Sequence, residues 1–231
     1  VATKKTTTTT VTTTIEDEPA GTPLLALVLD RSGSMQGQWH QVVPAVEKFL
    51  DEQKAQPDLR FICTVFDDYH ETIADAPLKA VSSRLIAKYP PRGSTALLDA
   101  VGRTIRHVET ADPTGKVLLV VYTDGYENAS KDWTKARLSA LLTEKRAQGW
   151  GVLFLGAEEA AWASEGIGAG AGISHGAGQV GQTFAAASGS STAYYAGVMP
   201  VQDLAADVVS RSAGSTTLTS THSPQEPIPT V

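Results

Sequence analysis

Four largely apolar runs of strand length punctuate the chain: Pro-Leu-Leu-Ala-Leu-Val-Leu-Asp at 23–30, Leu-Arg-Phe-Ile-Cys-Thr-Val-Phe at 59–66, Lys-Val-Leu-Leu-Val-Val-Tyr-Thr at 116–123 and Gly-Val-Leu-Phe-Leu-Gly-Ala at 151–157. They do not alternate polar with apolar, so each suits a strand covered on both faces. Helical spacing fills the intervals. Val42, Val43, Val46, Phe49 and Leu50 mark one face over 41–54. Leu97, Leu98, Val101, Ile105 and Val108 do the same over 95–109, and Leu138, Leu141 and Leu142 over 131–147. Residues 67–75 read as a tight turn into a short antiparallel strand, and 81–88 as a short helix. Residues 182–211 hold two short helical segments broken near Pro200, expected to cover the last strand or an open sheet edge. Alternating strand and helix predict an α/β, doubly wound, three-layer domain over residues 22–211.

The ends have a different pattern. Residues 3–14 are almost all threonine, which disfavours helix and supplies no core, so 1–21 read as an extended or disordered arm. That arm is either an inert linker or a segment that lies across a neighbouring subunit. Residues 212–231, rich in Ser, Thr and Pro, read as a flexible tail.

Composition narrows the function classes. With 231 residues, 42% hydrophobic and 19% charged, the chain can bury a core without covalent staples. A formal charge of −6 argues against general nucleic-acid binding, which needs a basic surface. The single cysteine, Cys63, lies in an apolar strand and reads as packing; it fits a reducing compartment. No stretch is long and apolar enough for a membrane span, and no charged-then-apolar leader opens the sequence. A cytoplasmic location is therefore expected.

In open parallel sheets, ligands bind beyond the carboxyl ends of the strands. The first strand ends in Asp30-Arg-Ser32-Gly-Ser34, the third is followed by Asp124, and Thr95 opens a helix after a Gly-Ser turn. In a tight loop alternate residues face one point, so Asp30, Ser32 and Ser34 aim three oxygens together, with Thr95 and Asp124 closing in from neighbouring loops. A hard divalent cation such as Mg²⁺ wants six oxygens of this kind. Capping and turn formation would explain each residue singly, but not their convergence.

These residues resemble the von Willebrand factor type A domain and its metal-ion-dependent adhesion site, whose pattern is Asp-x-Ser-x-Ser, then Thr, then Asp. The stretches "DRSGSM", "RGSTALLDAVG", "TDGYENAS" and "LFLGAEEAAW" are similar to those of single-domain bacterial and phage members, and the likeness covers about 24–200. It implies a six-stranded, mainly parallel sheet with one antiparallel strand. It implies that Ser32, Ser34 and Thr95 touch Mg²⁺ (or Mn²⁺ or Ca²⁺) directly, while Asp30 and Asp124 act largely through water. Neutral hydroxyls leave the ion electrophilic, ready for an Asp or Glu of a protein partner. The N–H groups that open the helix at 95 are expected to favour the same acid. The implied role is a metal-dependent protein–protein interaction module, not an enzyme. The alternative is a structural or accessory part of a phage particle or similar assembly, located in the virion, with the tails docking on neighbouring subunits.

Other features are weaker. Trp39, Asp67, Tyr126 and Glu127 fall at the same end of the sheet and are candidate partner contacts, with packing an equal reading for Trp39 and a hairpin turn the commoner role of Asp67-Asp68. Gly-Ile-Ser-His-Gly at 172–176 matches a hydrolase nucleophile elbow only formally, since no strand signal precedes it; a mobile loop is expected there. The five histidines show no zinc spacing.

Overall fold

The computed structural model describes residues 21–124, 127–157, 172–175, 178–212 and 217–219. Its strands are β1 (Leu24–Asp30), β2 (Arg60–Phe66), β3 (His70–Pro77), β4 (Val117–Thr123), β5 (Gly151–Ala157), β6 (Gly172–His175) and β7 (Thr217–Thr219). They form one sheet in the order β3-β2-β1-β4-β5-β6-β7. The pairs among β2, β1, β4, β5 and β6 are parallel, and β3 runs antiparallel at its edge, as the sequence predicts. Beyond that six-stranded sheet, β7 adds a three-residue antiparallel strand on β6.

The helices are α1 (Trp39–Gln53), α2 (Leu97–Thr110), α3 (Lys135–Ala147), α4 (Val180–Tyr195) and α5 (Leu204–Arg211). The short helix expected over 81–88 is the 3₁₀ helix Ser83–Lys88. Every residue of β1 is buried. Leu25, Leu27 and Leu29 face the layer that contains α1, α4 and α5, whereas Leu24, Ala26 and Val28 face α2 and α3. Burial on both faces is why these strands carry no polar alternation.

Two expectations are corrected. Residues 172–175 are not a loop: Ile173 is buried in the core, and its backbone pairs with β5. One apolar residue among glycines is too weak a local signal, and the adjacent strand edge supplies the pairing. Within the expected tail, Thr217–Thr219 pair with β6 as an edge strand, which suits a β-branched Thr-Leu-Thr segment. Ser212, the first tail residue, is buried and its hydroxyl donates to Val208 O at 2.8 Å. Residues 213–216 and 220–231 of the tail, the arm at 1–20 and positions 158–162, which end the "LFLGAEEAAW" stretch, lie outside the described residues.

The segments around Pro200 divide their work. Helix α5 packs against β6 and β7, as expected for an edge cover. Helix α4 instead lies beside α1 on the sheet face, with Phe184 set 5.8 Å from Phe49 and 5.2 Å from Tyr122. Its Ser-rich turns can be buried because hydroxyls bond back along the helix: Ser190 donates to Ala186 O at 3.1 Å and Ser191 to Ala187 O at 2.6 Å. A buried amide from α1, Gln53 Nε2, donates to Ser188 Oγ at 2.9 Å across the interface.

Candidate metal centre

The parallel register brings the carboxyl ends of β1, β2 and β4 level, with Asp30 opposite Phe66. Asp30 ends β1 with no exposed surface. Its Oδ1 accepts the Ser32 backbone N–H at 2.6 Å, and its Oδ2 accepts the Thr123 hydroxyl at 2.6 Å. Desolvation by burial pushes its pKa up to about 6, against the pull of those hydrogen bonds, and the neighbouring Asp124 charge adds to the rise. A cation at this place would reverse the penalty.

Ser32 is extended and leads into the 3₁₀ turn Gly33–Gly37, pinned by buried Met35. Ser32 Oγ lies 3.0 Å from Ser34 Oγ, and Ser34 Oγ donates to Asp124 Oδ1 at 2.8 Å. With its proton on Asp124, Ser34 Oγ accepts from the Ser32 hydroxyl and keeps one lone pair for a cation.

Thr95 arrives on a second loop that is stitched to the first. Gly33 N–H donates to Gly93 O at 3.0 Å, and Arg92 N–H to Arg31 O at 2.7 Å. Gly93 has φ +68°, and a Cβ there would collide with the Asp68 carboxylate, so only glycine lets this turn close. Thr95 is buried; its N–H donates to Asn128 Oδ1 at 2.9 Å, and its carbonyl accepts Asn128 N–H at 3.0 Å. The structure thus links Asp30, Ser32, Ser34 and Asp124 through one hydrogen-bonded set and brings the Thr95 loop against it.

The donor chemistry fits a hard divalent ion. Among the described residues no three Asp, Glu, His or Cys side chains gather around one point. The converging oxygens are therefore hydroxyls backed by two carboxylates, which suits Mg²⁺ or Mn²⁺ with retained waters rather than zinc.

The other sequence candidates have these surroundings. Trp39 is half-buried and packs against the core. Asp67 is 1% exposed and serves the scaffold: Oδ1 accepts Tyr69 N–H at 2.9 Å, Oδ2 accepts Arg92 Nε–H at 2.6 Å, and Arg31 Nε stands 3.1 Å from Oδ2. Glu127 Oε2 accepts Leu98 N–H at 2.9 Å and the Ser130 hydroxyl at 2.7 Å. Its Oε1 accepts the N–H groups of Ala129 at 3.0 Å and Ser130 at 2.7 Å. Ser130 Oγ in turn accepts Asp99 N–H at 3.0 Å. Two first-turn N–H groups of α2, those of Leu98 and Asp99, are thereby capped from within the chain. Tyr126 lies outside the described residues.

Sequence reasoning passed over Gln38, Thr123, Asn128 and Tyr69. Thr123 alone carried a readable signal, a hydroxyl at a strand end beside Asp124. Gln38 and Asn128 act through contacts across 86 and 33 positions. Tyr69, 73% exposed, tips the β2–β3 turn, next to Asp68, whose Oδ1 accepts Ser94 N–H.

The family model described as the von Willebrand factor type A domain matches residues 25–168. No curated protein matches the chain. The PilB minor pilin from Streptococcus sanguinis is similar in structure, with a TM-score of 0.59 at 13% identity over 77% of this chain and 63% of that one. The von Willebrand factor type A structure from Catenulispora acidiphila has a TM-score of 0.56 at 14% identity over 74% of this chain and 43% of that one. This chain spans less than two thirds of either, and at such identities the likeness concerns the fold. A family match over well more than half of the residues, on a sheet with this order and this loop cluster at its carboxyl end, settles the matter: the chain belongs to the von Willebrand factor type A domain family.

Proposed function

We propose that the chain is a divalent-metal-dependent protein–protein interaction module with an intact metal-ion-dependent adhesion site, and that it takes an acidic side chain of its partner. Ser32, Ser34 and Thr95 would hold the cation through their hydroxyls, with Asp30 and Asp124 behind them. The observation that supports this is the Ser32–Ser34–Asp124 chain of hydrogen bonds, in which the carboxylate accepts the Ser34 hydroxyl and one lone pair of Ser34 Oγ is left for a cation. When bound, Mg²⁺ or Mn²⁺ supplies an electrophilic centre with an exchangeable water position. The residues' part is to hold that centre with little negative charge in direct contact, so that an external carboxylate is attracted. The reading is a binding role, not catalysis.

The test is calorimetric titration of the folded protein with Mg²⁺ and Mn²⁺, followed by acetate as the simplest carboxylate. A saturable metal heat, and acetate binding that chelator removes, are expected. Asp30→Ala and Thr95→Ala should lose both while the far-ultraviolet dichroism stays that of the parent. Absence of any metal heat on well-folded parent protein refutes the proposal.

A further inference from the structure

Gln38 sits between the 3₁₀ turn Gly33–Gly37 and the first residue of α1, and its backbone is fixed on both sides. Its N–H donates to Met35 O at 3.1 Å, and its carbonyl accepts Gln41 N–H at 2.8 Å and Val42 N–H at 3.1 Å. Its side chain joins two groups of opposite need. Tyr122 OH donates to Gln38 Oε1 at 2.9 Å, and Gln38 Nε2 donates to Asp124 Oδ2 at 2.5 Å. Turning the amide over would set its NH₂ against a phenol proton and its carbonyl against a carboxylate, so only one orientation serves both partners. Tyr122 is fully buried at the end of β4, with its ring 5.2 Å from Phe184 of α4, so its hydroxyl is anchored in the core. The amide is thus a bracket between a fixed phenol and a carboxylate of the proposed metal site.

Asp124 is consequently held by both oxygens: Oδ1 by Ser34 and Oδ2 by Gln38. Each oxygen keeps a second lone pair, so the restraint is one of position: the proposed cation lies on the Ser34 side, and drawing Asp124 toward it would stretch the bond from Gln38, whose amide is anchored by Tyr122. An amide contributes a proton without a charge, so it restrains the carboxylate and leaves its negative charge in place. A carboxylate drawn into direct contact would neutralise the ion and fill a position that an external acid needs.

We infer that Gln38 is a positioning residue that keeps Asp124 out of direct contact with the cation, and so reserves the ion's electrophilicity and one of its exchangeable positions for a partner's carboxylate. This rests on the metal-dependent binding proposed above and adds the residue that sets the balance between holding metal and holding the acid. The two affinities are then coupled in opposite directions through Gln38, which loss of folding or general loosening of the loop would not produce.

The experiment compares the parent protein with Gln38→Met, which keeps the volume and removes both amide groups, and with Tyr122→Phe, which removes only the hydroxyl that orients the amide. Mn²⁺ affinity is read by titration, the number of exchangeable waters on bound Mn²⁺ by water-proton relaxation, and acetate affinity by its displacement of those waters. Gln38→Met is expected to bind Mn²⁺ about tenfold more tightly, with one exchangeable water fewer, and to bind acetate about tenfold more weakly. Tyr122→Phe should move all three readings the same way by a smaller factor, and it keeps the question open to decision if Gln38→Met does not fold. Affinities for Mn²⁺ and acetate that fall together, or that stay at the parent's values while the parent binds both, overturn the inference and leave the metal-site proposal standing. A folded parent protein that binds no Mn²⁺ overturns both.

Discussion

Replacing Glu127 by alanine separates two roles that the sequence alone leaves open. If its carboxylate waits for a partner, the fold should not notice its loss. The structure instead has that carboxylate accept four hydrogen bonds: from Leu98 N–H on α2, from the backbone N–H groups of Ala129 and Ser130, and from the Ser130 hydroxyl. Leu98 N–H belongs to the first turn of α2, where no intrahelical partner exists. Charge-assisted hydrogen bonds contribute about 1.5–3 kcal/mol each when both partners are buried. Glu127 is only half-buried, and water can replace it at part of the loop, so the sum is far below four full bonds. A loss of about 2–3 kcal/mol remains, from the capping bond to α2 and from the tightened 127–130 turn. For a domain of this size that corresponds to a fall in melting temperature of about 4–12 °C. Asn128, the next residue, accepts Thr95 N–H, so Mn²⁺ affinity should weaken as well. Glu127→Gln keeps one acceptor oxygen and should recover part of the loss. The assay is thermal unfolding followed by far-ultraviolet dichroism, without metal and with saturating Mn²⁺. A Glu127→Ala protein that melts with the parent would refute the reasoning and return Glu127 to the surface as a partner contact.

Two further outcomes follow from buried contacts. Gly102 lies on α2 against the ring of Trp133, which Arg137 covers at 4.1 Å, and a Cβ at Gly102 would collide with that ring. Gly102→Ala should therefore lower stability by about 1–2 kcal/mol, because overpacking outweighs the helix-propensity gain; a urea midpoint above the parent's would show the ring yields freely. The folded protein also holds the carboxyls of Asp67 and Asp75 below the usual range. At Asp67 burial opposes this, but the Arg92 and Tyr69 hydrogen bonds and the Arg31 charge prevail, and at Asp75 burial is outweighed by Arg60 and His107. Groups whose folded pKa is depressed stabilise the fold fully above their unfolded value and lose that contribution as pH falls through the folded value. Stability should accordingly drop steeply below about pH 4, and Asp67→Asn should flatten that limb of a melting-temperature profile; an unchanged limb would contradict it.

Sequence by itself determined the central sheet, most of its helical cover and the loop set at one end of it. Strands β1, β2, β4 and β5 are continuous apolar runs because both their faces are covered, and α1 to α3 show their buried stripes because they lie on the sheet with one side in water. Asp30, Ser32 and Ser34 were readable because a two-residue spacing at a strand end is local. Elsewhere the deciding partner is distant. Helix α4 buries serines whose hydroxyls bond back to its own carbonyls, so no apolar stripe marks it. Strands β6 and β7 depend on the edge each finds more than on their own residues. Asp67, Glu127 and Gln38 are surface-type residues in sequence; the fold makes the first two into scaffold and sets the third against Asp124. A carboxylate or amide has no fixed role until its hydrogen-bond partners are in place, and only tertiary packing decides which those are.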